Sequence, residues 1–172
     1  MPQYLTLKRH RDLVGRDRRP RLRQVVICLL VAFPAVGLAN VFGQQPVTSV
    51  AASPEARLQV VAADSLRGGL LGQQLFKVTA YSELKHATLV LDRGWMDGLQ
   101  MNTIVPYPLS QTYRSGDRLA MDFGHLPAGG SLVVRIQFQV DPTTVGSRPQ
   151  GVELEDGKRP IVGVHRTLFV FP

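Results

Sequence analysis

The stretch SLVVRIQFQV, residues 131–140, carries the clearest structural signal in the chain. Leu132, Val134, Ile136, Phe138 and Val140 alternate with Val133, Arg135, Gln137 and Gln139. A period of two sends one set of side chains to a core and the other to water, as in a half-covered antiparallel strand. Just upstream, Leu119, Met121 and Phe123 alternate with Arg118, Ala120 and Asp122, and GHLPAGG at 124–130 supplies a turn. These two strands are therefore expected to be neighbours. Further back, Phe76, Val78 and Ala80 alternate with Lys77, Thr79 and Tyr81, and Ala87, Leu89 and Leu91 with Thr88 and Val90. Leu58 and Val60 mark an opening strand, and Met101, Thr103 and Val105 a shorter one at 100–105. Towards the end, Val152 to Glu155 and Ile161 to Phe171 flank Asp156-Gly157, which tolerates the backbone of a tight hairpin. Seven to nine short strands over residues 56–172 predict an all-β domain of two stacked antiparallel sheets, with a closed barrel as the alternative.

The rest of the 172-residue chain is of a different kind. Residues 25–43, VVICLLVAFPAVGLANVFG, contain no charge, and at about 1.5 Å per residue a helix of that length matches the hydrocarbon core of a bilayer. Residues 1–24 hold eight Lys and Arg against two Asp, almost all of the formal net charge of +7. A basic tail before an apolar run keeps the N-terminus in the cytoplasm. The expected organisation is a basic cytoplasmic tail at 1–24, a signal anchor at 25–43, a flexible tether at 44–55 and an extracytoplasmic domain at 56–172. Cleavage after Ala39, in the small-residue context Gly37-Leu38-Ala39, stays open as a second reading, since a secretory signal passes much of the same test. Pro34 predicts a kink near residues 30–34. The neutral body argues against nucleic-acid binding, which needs positive charge along the docking surface itself. The single Cys28 excludes an intrachain disulfide and reads as an apolar filler of the helix.

The order of landmarks resembles the immunoglobulin-like repeat domains of bacterial cell-surface proteins, including the CARDB type. The matching residues are LQVVAAD, then Gly72-Gln73-Gln74 leading into LFKVTAYSEL, HATLVLD, Asp97-Gly98-Leu99, and DRLAMDFGHLPAGGSLVVRIQFQV. They cover roughly residues 56–141, and Tyr81-Ser82-Glu83 departs from the family's usual Asn after the second strand. The resemblance implies an Ig-like sandwich used for presentation, spacing or protein contact, and no enzyme activity.

The chain carries few motifs that could do chemistry. His10, His86, His125 and His165 are far apart and lack the paired spacing of a zinc site. No nucleophile elbow, phosphate loop or dinucleotide fingerprint is present. No cofactor, metal or small-molecule substrate is therefore expected. The acidic group Glu153, Glu155 and Asp156 suggests a cation site, but Glu153 and Glu155 read rather as the solvated face of an edge strand. One loop stands out: RGWMDGLQ at 93–100 sets the only Trp, Trp95, beside Met96. Either Trp95 is a lid folded onto the core or it is an exposed anchor for a partner. Tyr107 and Tyr113, around Pro106 and Pro108, form a second aromatic group on the following connection. Trp95, Met96, Tyr107 and Tyr113 are thus the candidate partner-binding residues. The expected function is a non-catalytic, membrane-anchored accessory module of the bacterial cell envelope, held in the lipid bilayer by residues 25–43 and partnering a membrane or envelope protein. A carbohydrate-binding or hydrolytic domain using the Trp95 loop is the alternative.

Overall fold

The computed structural model describes residues 19–38 and 45–172. The chain divides into two compact units, Met1–Phe42 and Gly43–Pro172. Most of the expected basic tail, His10 with it, and residues 39–44, which include the alternative cleavage position, lie outside the described residues.

In the first unit, α1 spans Arg19–Leu38 and runs through Pro34. It starts six residues before the apolar run because Pro20 sits in the first turn, where a missing N–H costs nothing, and Arg is a good helix former. The window Arg21–Leu38 is long and apolar enough to cross a membrane, a test that a signal sequence also passes. Leu29, Leu30 and Phe33 are exposed.

The second unit is an all-β sandwich, as the alternation predicts. One sheet has the order β1-β2-β4-β9-β6, built from Pro46–Ala52, Ala56–Ala63, Leu71–Ala80, Ser131–Val140 and Leu99–Val105. The facing sheet has the order β12-β11-β5-β8-β7, built from Arg159–Val164, Val152–Asp156, Ala87–Leu91, Arg118–Asp122 and Ser110–Arg114. A small third sheet, β10-β13-β3, joins Gly146–Pro149, Thr167–Phe171 and Ser65–Arg67, with β13 and β3 parallel. In β9 four of the five predicted inward residues, Val134, Ile136, Phe138 and Val140, are buried and Leu132 is half-buried, against exposed Arg135, Gln137 and Gln139. They meet Leu89, Leu91, Met121 and Leu154 of the facing sheet in one core cluster.

Five expectations change. Residues 46–52, expected within a tether, form edge strand β1, paired with β2 along its whole length. Main-chain bonds hold it, and Val47 and Val50 stay exposed, so its side chains show no alternation. The strand at 118–122 does not pair with β9: Leu84 and Leu126 bridge, and the 124–130 segment carries the chain from one sheet to the other. The expected single strand Ile161–Phe171 breaks after Val164, and its second half enters the third sheet. Thirteen strands are present among the described residues, because β1, β3, β7 and β10 are edge or short strands with little apolar pattern to read.

The fifth change concerns the acidic strand. β11 lies between β12 and β5 and is not an edge, and Glu155 is buried. Arg114 of β7 reaches across the sheet to Glu155, and Arg118 of β8 pairs with Glu153 and with Asp92. The aliphatic stems of these arginines roof the outer face of β5, which explains why Thr88 and Val90 are buried although the alternation points them outwards. The Glu153 contact, ahead of Asp92, holds the Arg118 guanidinium above its ordinary pKa.

Candidate functional site

The chain leaving β5 forms a 3-10 turn at Arg93–Trp95, in which the Trp95 N–H donates to the Asp92 carbonyl and the Met96 N–H to the Arg93 carbonyl. Gly94 lets this turn press against the end of β10, for a Cβ there would lie 1.8 Å from the Pro149 carbonyl oxygen. The next side chain is thereby driven into the sandwich. Trp95 is fully buried, its Nε1 donates to the Gly151 carbonyl at 3.0 Å, and its ring meets Phe76 edge-on at 5.2 Å and Phe138 at 5.8 Å. The Arg166 guanidinium lies 5.9 Å from the ring centroid and donates to the Ala62 and Ala63 carbonyls and to Asp64. Burial of Arg166 pushes its pKa down, opposed by Asp64. Trp95 is therefore a core residue. This corrects its expected place on a partner-facing surface and removes the exposed ring that the Trp95-based carbohydrate or hydrolytic reading requires.

The other three candidates come together. Met96, Tyr107 and Tyr113 line one groove of about 490 Å³ between the edge strands β6 and β7. Its floor is continuous with the core through Leu99 and Leu119, which are almost fully buried, and with partly buried Met101 and Ile104. Its rim is formed by Tyr107, 76% exposed, and Tyr113, 70% exposed, with the Asn102 and Gln111 amides between them. Among the described residues no Asp, Glu, Lys, Arg or His lines it. Met96 and Leu99 also line an adjoining hollow of about 360 Å³ that ends at Asp141 and Pro142. Hydrogen bonds from the Thr143 backbone N–H and hydroxyl hold the Asp141 carboxyl below its ordinary pKa. The edge character of β7 had one signal in the sequence: five residues, SQTYR, between a proline pair and a turn.

The opposite side of the sandwich is closed. β12 lies against β1 and β2, and Arg159 of β12 grips Glu55 of the β1–β2 turn through two hydrogen bonds of 2.8 and 2.6 Å. That contact pulls the Glu55 carboxyl below its ordinary pKa. A further hollow of about 300 Å³ on the outer face of the second sheet holds His86, Asp122 and Arg114. His86 Nδ1 lies 3.4 Å from Asp122 and Arg114 is committed to Glu155, so these side chains are engaged within the fold. His125 pairs with Glu83 at 2.9 Å. Among the described residues no group of three His, Cys, Asp or Glu is placed to hold a metal ion.

No protein-family model and no curated protein sequence matches this chain. Several solved structures show a partial likeness to it. CaCohA2 from Clostridium acetobutylicum is 10% identical, with 62% of this chain and 84% of that one covered and a TM-score of 0.45. The C-terminal domain of wzt is 15% identical over 76% and 81% of the two chains, with a TM-score of 0.42. The CARDB domain of a Pyrococcus furiosus protein is 12% identical over 74% and 94%, with a TM-score of 0.36.

Proposed function

We propose that the protein is a non-catalytic accessory module of the cell envelope: α1 anchors it in the membrane with the N-terminus cytoplasmic, and the extracytoplasmic sandwich docks a membrane or envelope protein through the groove between β6 and β7. One observation carries the docking site. Met96, Tyr107 and Tyr113, drawn from two separate loops and a strand, line a single uncharged groove on the open side of the sandwich, and two large exposed aromatic rings form its rim. Tyrosines in such a position are the residue type that dominates protein contacts, since they bury a large area at little conformational cost. The anchor reading is supported by the length and apolar character of Arg21–Leu38 and by the basic residues before it.

Two experiments test this reading. A reporter fused after Pro172 is expected to be active only outside the cytoplasm, and cytoplasmic activity would overturn the topology. In the full chain, Tyr107→Ala combined with Tyr113→Ala is expected to leave the thermal melt nearly unchanged, as surface substitutions usually stay within about 0.5 kcal/mol. Recovery of the crosslinked partner from native membranes should fall sharply, since loss of two anchors weakens binding by about 2 kcal/mol or more, roughly thirtyfold. Unaltered recovery from a folded variant would contradict the docking site.

A further inference from the structure

Building on that reading, we propose that the partner presents an extended, uncharged polypeptide segment that pairs with the free edge of β7 and lays alternate apolar side chains into the groove. The two five-stranded sheets have four edges, formed by β1, β6, β7 and β12. An open edge invites pairing with another chain, and proteins usually blunt it with proline, a bulge, a charge or a covering element. Three of the four are treated in this way. β12 carries Pro160 and Arg159, and lies against β1, with the Arg159–Glu55 pair fastening that side. β6 is broken by an irregularity between Met101 and Thr103 that leaves Asn102 outside the register with β9.

β7 has none of these devices. All five residues from Ser110 to Arg114 pair in regular register with β8, and neither a proline nor a bulge interrupts them. Its only charge, Arg114, is turned onto the sheet's outer face by Glu155. Gln111 and Tyr113 line the groove, whereas Ser110 and Thr112 line the hollow on the opposite face, so the alternation of a strand is in place. A strand added here becomes the sixth of its sheet. Every second side chain then points towards Met101, Ile104 and Leu119, and the intervening ones stay on the polar outer side. Strand addition of this kind takes affinity from main-chain hydrogen bonds and specificity from pockets for alternate side chains. Five residues extend about 17 Å, which sets the length of segment that pairs. The absence of charge in the groove selects an uncharged segment, because a buried unpaired charge is costly. The open edge of β7 favours a peptide over a neutral glycan, because only a polypeptide presents N–H and C=O groups at the spacing of a strand.

The test uses the full chain in lipid nanodiscs, with a display library of random heptapeptides as the probe. Selected peptides are expected to be uncharged and to alternate apolar with polar residues. Their binding should weaken about tenfold or more when every second backbone amide is N-methylated in turn, and little at the amides between, because each blocked main-chain bond is worth about that factor. Tyr113→Ala should weaken the same peptides, which shows that they occupy this groove. Three results would overturn the inference: no enrichment over the Tyr113→Ala variant, binding that tolerates N-methylation everywhere, or Tyr113-dependent binding of chitohexaose with no peptide selected. If partner recovery from membranes depends on Tyr107 and Tyr113 while N-methylation has no effect, strand addition fails and the docking site stands.

Discussion

Trp95→Ala should cost the β domain about 3 to 5 kcal/mol, as large-to-small changes at a buried aromatic do. That is a large part of the 5–15 kcal/mol that holds a domain folded. The indole fills the space between Phe76 and Phe138 of one sheet and the Arg166 guanidinium, and it satisfies the Gly151 carbonyl. Removal leaves a cavity and a buried cation without its ring, while the Gly151 carbonyl keeps only the Asp92 N–H. Trp95→Phe separates these contributions: it restores most of the packing but not the Nε1 hydrogen bond, and should cost about 0.5 to 1.5 kcal/mol. Phe138→Ala should destabilise the domain by an amount comparable to Trp95→Ala. Because the two rings touch, the double variant should lose less than the sum of the single losses. Chemical denaturation of the four variants checks this, and a Trp95→Ala protein as stable as the parent would remove Trp95 from the core.

Gly94→Ala is the second large effect, and it acts through the backbone alone. The added methyl carbon would sit 1.8 Å from the Pro149 carbonyl oxygen and 2.8 Å from its carbon, both main-chain atoms that cannot rotate away. The turn that aims Trp95 must then separate from β10, at a cost of about 3 kcal/mol, the upper part of the usual range for overpacking. Gly129→Ala provides the contrast, because Gly129 has φ +79° but open space around its missing side chain. It should cost only the left-handed backbone penalty of about 1 to 2 kcal/mol. Thermal melts of both variants decide between a steric and a conformational requirement, and a Gly94→Ala melt close to that of the parent would contradict the close approach.

The inner strands of the sandwich were legible because each has one covered face: β2, β4 and β9 bury the residues whose alternation names them. Where that condition fails, the pattern fails. β5 is buried on both faces because arginines from β7 and β8 cross it, and no local feature of ATLVL reports a cation arriving from residue 114 or 118. β1 and β7 are held by main-chain pairing at an edge, so their side chains carry almost no apolar signal. The Trp95 loop left two readings open from sequence, and the choice between them depended on Gly94 meeting Pro149, a contact 55 residues apart in the chain. Tyr107 and Tyr113 were legible as a pair because prolines and polar residues around them leave no core to join. Their meeting with Met96 followed only once β6 and β7 stood as facing edges.

The most direct test of the docking groove is photocrosslinking in the native membrane with Tyr113 replaced by benzoylphenylalanine in the full chain, and with Phe169, 45% exposed in the third sheet, replaced in the same way as a control. The account predicts one discrete adduct with an envelope protein from position 113, lost when Tyr107→Ala is added, and none from position 169. No adduct from position 113, or the same adducts from both positions, would contradict it.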